Sequence, residues 1–220
     1  MTTRRSVISL LARACLCAVS WIGLGLHRIP RALAETGKRI LDKDTDPATL
    51  IYEDPKNLDT SNLPVMPLDE FGTMGDIEID IPAEDWSLRI TGAVESEQRI
   101  SYQELTSLPS IEREVLLVCP GVFVNHGRWK GVPLSELVRR AGPTVRDGHI
   151  IVRGRSRSGD QSQRFDLSDM DSGGLLLAYS VNGRTLPRRH GYPVRLVAEN
   201  HMGYQWTKYV FEIEVARGNV

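Results

Sequence analysis

Cys119 is the residue of this sequence best suited to metal chemistry. An apolar stretch from Val115 to Val118 leads into it, and a Pro-Gly pair follows directly. Because a Pro-Gly pair interrupts a strand, the sequence predicts a thiol at a strand end, facing a loop that continues to Trp129. A thiolate is a soft ligand that suits a transition metal. A cysteine after an apolar stretch is more often a core thiol, so its surroundings must decide between the two.

Two further cysteines lie within residues 1–34, which resemble an export signal. Arg4 and Arg5 begin this stretch, an apolar segment follows, and residues 32–34 offer a small-x-small cleavage pattern. The paired arginines resemble a twin-arginine signal, used by proteins that fold around a cofactor before export. A general secretory signal and an uncleaved membrane anchor are the alternatives. After cleavage only Cys119 would remain, so no internal disulfide is expected.

Charge is distributed unevenly along the chain. The formal net charge is −1, but residues 1–34 contain five arginines and no acidic residue. Residues 35–220 therefore carry 22 basic and 28 acidic side chains, a net charge of −6. A domain with this excess of acid is poorly suited to phosphate contacts along a nucleic acid, so we do not expect nucleic-acid binding.

Residues 67–220 are predicted to form one domain, preceded by an extended, proline-containing arm at 35–66. The Asn-Gly pair at 182–183 predicts a tight hairpin turn. Alternating or continuous apolar stretches predict strands near 86–92, 112–118, 149–154, 175–181, 193–198 and 209–215. Because strands outnumber helices and the helices are short, the predicted fold class is a mixed, strand-rich α+β domain.

Short helices are predicted at two clear start signals. Ser101 and Glu104 have capping-box spacing, in which each side chain binds the other residue's backbone amide. Pro133 suits a first helical turn and is followed by apolar residues at i, i+3, i+4 and i+7, which make one buried face. Residues 155–166 are polar and are predicted to be a loop, with one helical turn at 166–170.

Several spaced motifs follow one another between residues 119 and 208. They are Cys119 with Trp129 ten residues later, Gly131-Val132-Pro133-Leu134, Asn182-Gly183-Arg184-Thr185-Leu186-Pro187, His190-Gly191-Tyr192-Pro193-Val194-Arg195-Leu196 and Gly203-Tyr204-Gln205-Trp206-Thr207-Lys208. In this order they resemble the molybdopterin-binding domain of the sulfite oxidase family. The resemblance spans roughly residues 68–215. The stretch at 70–73 is similar to an N-terminal segment of the periplasmic methionine sulfoxide reductase branch.

This resemblance implies a molybdenum–molybdopterin cofactor and a set of contacts to it. Cys119 matches the cysteine whose thiolate binds molybdenum, and it is the implied catalytic and metal-binding residue. The other implied cofactor contacts are Glu70, Phe71, Gly72, His190, Arg195, Trp206, Thr207 and Lys208. The planar donor fork of Arg195 and the point charge of Lys208 suit the doubly charged pterin phosphate. His126 and His201 are weaker candidates for proton donors near the site.

The signal-like residues 1–34 predict export, and the family resemblance implies an enzyme that moves an oxo group to or from a small substrate. Sulfite oxidases carry arginines shortly after the metal cysteine, whereas residues 120–124 contain none and the nearest is Arg128. Sulfoxide-type reduction is therefore favoured over sulfite oxidation. The sequence contains no CxxCH haem motif or iron–sulfur cysteine set, so a membrane-bound cytochrome or quinol-linked electron partner is expected. The alternative is a cofactor-free periplasmic binding or interaction module that retains the fold.

Overall fold

The computed structural model describes residues 37–218, so the predicted signal at 1–34 lies outside the described residues. Within this range the chain forms twelve β-strands and three α-helices. The strands are β1 (Arg39–Ile40), β2 (Leu58–Asp59), β3 (Ser87–Gly92), β4 (Gln98–Ser101), β5 (Ile111–Cys119), β6 (Phe123–Pro133), β7 (Gly148–Gly154), β8 (Gln161–Asp166), β9 (Leu175–Val181), β10 (Arg184–Thr185), β11 (Arg195–Ala198) and β12 (Val210–Arg217). The helices are α1 (Tyr102–Ser107), α2 (Leu134–Ala141) and α3 (Leu167–Asp171). The strand-rich α+β prediction is confirmed.

Two five-stranded sheets hold the domain together. The first has the order β10-β9-β6-β5, with β11 also paired to β9, and its pairs are antiparallel. The second has the order β4-β3-β12-β7-β8, in which only β3 and β12 are parallel among the described pairs. Apolar side chains of both sheets and of α2 form one shared hydrophobic core. The cavity described below opens beside this core, at the end of β5.

The helix starts agree with the sequence-based predictions. At α1 the Ser101 side chain accepts a hydrogen bond from the Glu104 amide, and Glu104 accepts one from the Ser101 amide. The apolar face of α2 is buried as its spacing predicts. Gly142 ends α2 in the left-handed conformation at φ 68°, which a glycine adopts without steric cost. Residues 182–183 make the predicted turn between β9 and β10.

The predicted loop between Cys119 and Trp129 is wrong. Only a tight turn at 120–122 separates β5 from β6, and the strands pair in register from Cys119 opposite Phe123 to Ile111 opposite Gly131. The Pro-Gly pair therefore ends one strand of a hairpin and starts no long loop. Gly131 also lets β6 approach β9, because a Cβ there would lie 2.0 Å from the Leu177 carbonyl oxygen.

The predicted loop at 155–166 is wrong over its second half. Residues Gln161–Asp166 form β8, which pairs antiparallel with β7. Strand β8 is the edge of the second sheet, and among its residues only Phe165 is buried. An edge strand facing water on most positions carries polar residues, which is why its composition resembles that of a loop.

Residues 37–66, the described part of the predicted arm, lie against the outer face of the β5–β6 hairpin. Four leucines of this segment form a second hydrophobic cluster with side chains of the hairpin: Leu41, Leu50, Leu58, Leu63, Leu116, Val118 and Val124. Both faces of β5 are thus covered, which explains its continuous apolar stretch. No helix within residues 37–218 is long and apolar enough to cross a membrane.

Candidate functional site

Cys119 ends β5 at a cavity of about 220 Å³. Its side chain is 8% exposed, and burial raises the pKa of the thiol. The thiol is therefore protonated at neutral pH in the metal-free protein, whereas a bound metal cation would deprotonate it. The cavity is lined by Gly72, Thr73, Met74, Gly75, Asp76, Leu117, Cys119, Phe123, Asn125, Arg155, Gln161, His190, Arg195, Gly203, Tyr204, Trp206, Lys208 and Tyr209.

His190 is a buried, neutral histidine on the cavity wall. It ends a short 3₁₀ turn at Arg188–His190 and is 1% exposed. Burial, together with three neighbouring cationic side chains, lowers the pKa of His190 to about 3. The Nε atom of Arg189 lies 3.0 Å from its Nε2 atom and donates to it, so the proton of the neutral ring is on Nδ1.

Arg195 is a buried cation that has no carboxylate partner among residues 37–218. It begins β11 and is 3% exposed. Its guanidinium carbon lies 5.2 Å from the ring centroid of Trp129 and 5.4 Å from that of Trp206. No salt bridge within residues 37–218 includes Arg195. Burial lowers its pKa to about 10, so the group stays charged at neutral pH and favours an anion in the cavity.

Lys208 provides a second, partly buried cation beside Arg195. Its Nζ atom lies 2.8–3.1 Å from one hydroxyl and three backbone carbonyl oxygens. Burial, followed by repulsion from Arg195, lowers the pKa of Lys208 to about 8. Gly154 allows this chain segment to approach β7, because a Cβ at Gly154 would lie 2.1 Å from the Lys208 carbonyl oxygen.

The structure brings six of the nine sequence-predicted site residues to the cavity wall: Gly72, Cys119, His190, Arg195, Trp206 and Lys208. The remaining three are absent from the wall. Glu70 is exposed, and Thr207 is buried with a hydroxyl that has no hydrogen-bond partner among the described residues. Phe71 packs behind the wall, with its ring centroid 5.8 Å from that of His190 and 6.0 Å from that of Trp129.

Asn125 is a site residue that sequence reasoning missed. Its side-chain amide accepts from the Gly72 amide at 2.8 Å and donates to the Gly72 carbonyl oxygen at 2.9 Å. This pair of bonds fixes the chain at Gly72 against β6, so Asn125 positions one wall of the cavity. The local sequence carries no signal for this role, because Asn125 is followed by His126 and its burial is visible only in the structure.

Several residues outside the predicted contacts also reach the cavity. Arg155 and Gln161 flank the turn between β7 and β8, within the stretch at 155–166 that was predicted to be a loop. Tyr204 is 67% exposed at the rim. His126 and His201, the weaker proton-donor candidates, are absent from the cavity lining. His126 is instead buried below residues 37–66, with its Nδ1 atom 3.0 Å from the Pro64 carbonyl oxygen.

Comparison with known proteins agrees with this arrangement of a thiol and buried cations. Residues 74–219 match the family model described as the oxidoreductase molybdopterin binding domain. The chain belongs to this family. Its cofactor is molybdenum–molybdopterin, as in the sulfite oxidase-like enzymes that the sequence motifs resemble.

Relatives of known function and one solved structure align with about 60% of this chain. NADH nitrate reductase 1 of Arabidopsis thaliana is 31% identical over 162 residues, which cover 60% of this chain and 18% of that protein. The catalytic subunit MsrP of a protein-methionine-sulfoxide reductase from Gluconobacter oxydans is 28% identical over 145 residues, 59% of this chain and 46% of that protein. The chain thus spans less than half the length of these two curated relatives. The crystal structure of the sulfane dehydrogenase SoxCD from Paracoccus pantotrophus has a TM-score of 0.60 and 24% identity, covering 64% of this chain and 41% of that chain, and shows the shared fold.

The cavity fits the two chemically different ends of a family cofactor. Cys119 offers a sulfur ligand at the end of β5, and a thiolate suits molybdenum. Arg195 offers a buried guanidinium without a carboxylate partner in the described part of the chain, which suits the phosphate of the pterin. His190 is neutral, so it adds no positive charge of its own beside Arg195. Cys119 would hold the metal and Arg195 the phosphate, and Gly72 and Trp206 line the same cavity.

Proposed function

We propose that this chain is an exported, molybdopterin-dependent oxidoreductase that reduces sulfoxide-type small substrates. The observation that carries the proposal is one cavity lined by both a buried thiol, Cys119, and a buried cation without a carboxylate partner, Arg195. When bound, the cofactor supplies two-electron oxo-transfer chemistry at its metal. Reducing a sulfoxide to a thioether consumes two electrons and two protons and releases one water.

The chain's own residues contribute binding, orientation and exclusion of water. Cys119 holds the metal at the end of a rigid strand, and the paired strand β6 fixes its direction. The Arg195 guanidinium lies beside the Trp129 and Trp206 rings and donates a hydrogen bond to the His190 carbonyl oxygen, so its charge is placed before the cofactor binds. Phe123 and Trp206 add apolar surface to the cavity wall, which limits water near the sulfur.

The surroundings of Arg128 support a sulfoxide over sulfite. Arg128 is the arginine nearest to Cys119 in the sequence after the turn, and its guanidinium donates two hydrogen bonds to Glu114 on the exposed face of the hairpin. It is absent from the cavity lining. A sulfite dianion would require cations close to its oxygen atoms beside the metal, and the turn at 120–122, directly after Cys119, provides none. Arg155 lines the cavity, but its guanidinium lies over the Phe211 ring and 3.6 Å from the Asp160 carboxylate. A neutral sulfoxide requires no such cation.

The electrons and the cellular location are part of the same proposal. We infer a membrane-bound cytochrome or quinol-linked electron donor. Sulfoxide reduction consumes two electrons in each turnover, and molybdenum–molybdopterin must receive them from another protein. Arg4 and Arg5 before an apolar segment support export by a twin-arginine pathway. Cell fractionation of the full chain and of an Arg4→Lys, Arg5→Lys variant tests this. Equal export of both would contradict the twin-arginine route.

Metal content tests the enzyme proposal directly. The full chain is expressed in a host that makes molybdopterin, purified, and compared with Cys119→Ser and with the exposed-lysine control Lys130→Met by elemental analysis. We expect molybdenum in the wild type and the control, and at least about tenfold less in Cys119→Ser. A reduced dye then serves as donor for sulfoxide turnover. A wild type without molybdenum would refute the enzyme and favour a cofactor-free binding module, whereas sulfite oxidation without sulfoxide reduction would refute the substrate class.

A further inference from the structure

The cationic side chains of the cavity wall lie together. The Lys208 ammonium is 2.8 Å from the Thr73 hydroxyl, another group of the lining. A Cβ placed at Gly191 would lie 3.1 Å from the Cβ atoms of both Arg195 and Lys208, so these two cations share one part of the wall. Because a phosphate favours cationic donors, this is the part of the cavity that suits the phosphate of the family cofactor.

The part of the wall around Cys119 is apolar. Leu117 lies two residues before Cys119 on β5 and faces the same side of the strand, and both line the cavity. Phe123 pairs with Cys119 across the hairpin and belongs to the same lining. A Cβ at Gly203 would lie 2.8 Å from Cδ2 of Leu117, which places the next lining residue, Tyr204, beside these apolar side chains.

This apolar surface continues onto the outside of the protein. Tyr204 is 67% exposed, and Val122, in the hairpin turn, is 53% exposed. Tyr52 is 81% exposed and lies against the same turn, where a Cβ at Gly121 would be 3.3 Å from its Cε1 atom. Three of the six exposed large hydrophobic side chains in the described part of the chain thus gather beside the end of β5. Exposed hydrophobic groups that cluster mark a binding surface, whereas scattered ones are ordinary.

Polar groups near this surface are engaged by the protein itself. Asn125 pairs with Leu117 across the hairpin, and its side-chain amide is bonded to the backbone of Gly72 in both directions. Arg155, a cation of the same cavity lining, has its guanidinium 4.3 Å from the ring centroid of Phe211. What this surface offers a substrate is therefore apolar contact.

The chain that carries Tyr204 is held rigidly. Gly203–Gln205 form a 3₁₀ turn, in which the Gln205 amide donates to the Met202 carbonyl oxygen at 2.9 Å and the Met202 amide donates to the Gln205 side chain at 3.2 Å. Gly203 packs directly on β5, because a Cβ there would lie 2.9 Å from the Val118 carbonyl oxygen. A ring on such a turn loses little backbone freedom when a ligand covers it, which favours binding.

We propose that Tyr204 is a specificity-determining residue, and that Tyr204, Val122 and Phe123 form a shelf for the larger, apolar substituent of a sulfoxide. The substrate class is then a sulfoxide with one small and one aryl-sized substituent, in preference to dimethyl sulfoxide. A phenyl group has more apolar surface to bury than a methyl group, so contact with the shelf stabilises its bound state more. This inference rests on the proposed function, because it requires a sulfoxide at the metal.

Two substrates of different size test the shelf. Methyl phenyl sulfoxide and dimethyl sulfoxide are reduced separately by the loaded enzyme with the same reduced dye, and the ratio of their kcat/KM values is compared between variants, which cancels their different intrinsic reactivity. Tyr204→Ser should lower the ratio of phenyl to dimethyl substrate about tenfold. The change should come mainly from KM, because the lost contact binds substrate and transition state alike. Tyr204→Phe should keep the ratio, since the ring makes the contact.

Ile40→Ser is the matched control, because Ile40 is 57% exposed and is absent from the cavity lining. It should leave the ratio within about twofold of wild type. Val122→Ser should change the ratio in the same direction as Tyr204→Ser. An unchanged ratio in Tyr204→Ser, with dimethyl sulfoxide still reduced, would overturn the inference and leave the proposed function standing. An equal fall in Ile40→Ser would also overturn it.

Binding without turnover gives a second, separable readout. The dissociation constant of methyl phenyl sulfoxide for the loaded protein, without the dye, is measured by saturation transfer from protein protons to phenyl protons. Tyr204→Ser should raise this constant about tenfold, and Ile40→Ser should not. If no protein reduces either sulfoxide, the proposed function fails, and the dissociation constants still decide whether Tyr204 binds the aryl group. Equal constants in wild type and Tyr204→Ser would show that it does not.

Discussion

Arg195 donates a hydrogen bond from Nη1 to the backbone carbonyl oxygen of His190 at 3.1 Å. This bond links two of the predicted cofactor contacts, the charged Arg195 and the neutral His190. Burial acts on both in the same direction. It lowers the pKa of His190 to about 3 and that of Arg195 to about 10. At neutral pH the result is one positive charge and one neutral ring, an arrangement that favours a single anionic group.

Removing the Arg195 charge should separate cofactor binding from stability. Because a buried cation without a partner costs desolvation energy, Arg195→Met should leave the cofactor-free domain equally stable or more stable by about 1 kcal/mol. Loss of a charge-assisted contact to phosphate should lower pterin retention about tenfold or more. Denaturant unfolding and pterin content measure the two effects. Arg128→Met, which removes an exposed arginine paired with Glu114, is the control, and equal pterin content in both variants would contradict the role.

The buried, neutral His190 should make the folded domain less stable in acid. Its pKa is about 3 in the folded protein, against about 6.5 when unfolded. Between pH 3 and pH 6.5 the unfolded chain binds more protons at His190 than the folded protein does. The stability that the neutral His190 contributes is therefore fully present above pH 6.5 and is lost as the pH falls towards 3. Replacing it with a residue that does not titrate, His190→Gln, should reduce the pH slope of the unfolding free energy by up to about 1.4 kcal/mol per pH unit.

Urea unfolding of the cofactor-free domain between pH 4 and 7 measures this slope. The pKa of His126 is also lowered by burial, so a smaller slope of the same sign should remain in the variant. His126→Gln provides the matched comparison, because it removes a buried histidine that lies away from the cavity. Identical slopes in wild type and His190→Gln would show that His190 is not the source.

Gly72 should tolerate no side chain while Phe123 is present. A Cβ at Gly72 would lie 2.3 Å from Cγ and 2.8 Å from Cβ of Phe123, atoms too near the backbone to swing away. Gly72→Ala should therefore destabilise the domain by about 1–3 kcal/mol and lower molybdenum content, since Phe123 pairs with Cys119. Thermal unfolding and elemental analysis measure both. The double variant with Phe123→Ala should recover part of the loss, and additive losses would argue against this contact.

Local sequence signals were sufficient for much of the fold. The capping box at Ser101 and the apolar face of α2 depend on residues within one or two helical turns, and both are present as predicted. Strand β6 was missed because a Pro-Gly pair marks a turn equally well before a loop and before a returning strand. Edge strand β8 was missed because exposure removes the apolar alternation that identifies strands.

The sequence by itself determined the family, the strand-rich α+β class and the candidates Cys119 and Arg195, because their chemistry and spacing are visible in side-chain identity. Only the tertiary structure decided that Glu70 and Phe71 are absent from the cavity wall and that Asn125 fixes Gly72. It also decided the hydrogen bonds of the Lys208 ammonium, three of whose acceptors are backbone carbonyl oxygens. Every residue offers the same backbone carbonyl group, so no sequence pattern marks which carbonyls meet a distant lysine.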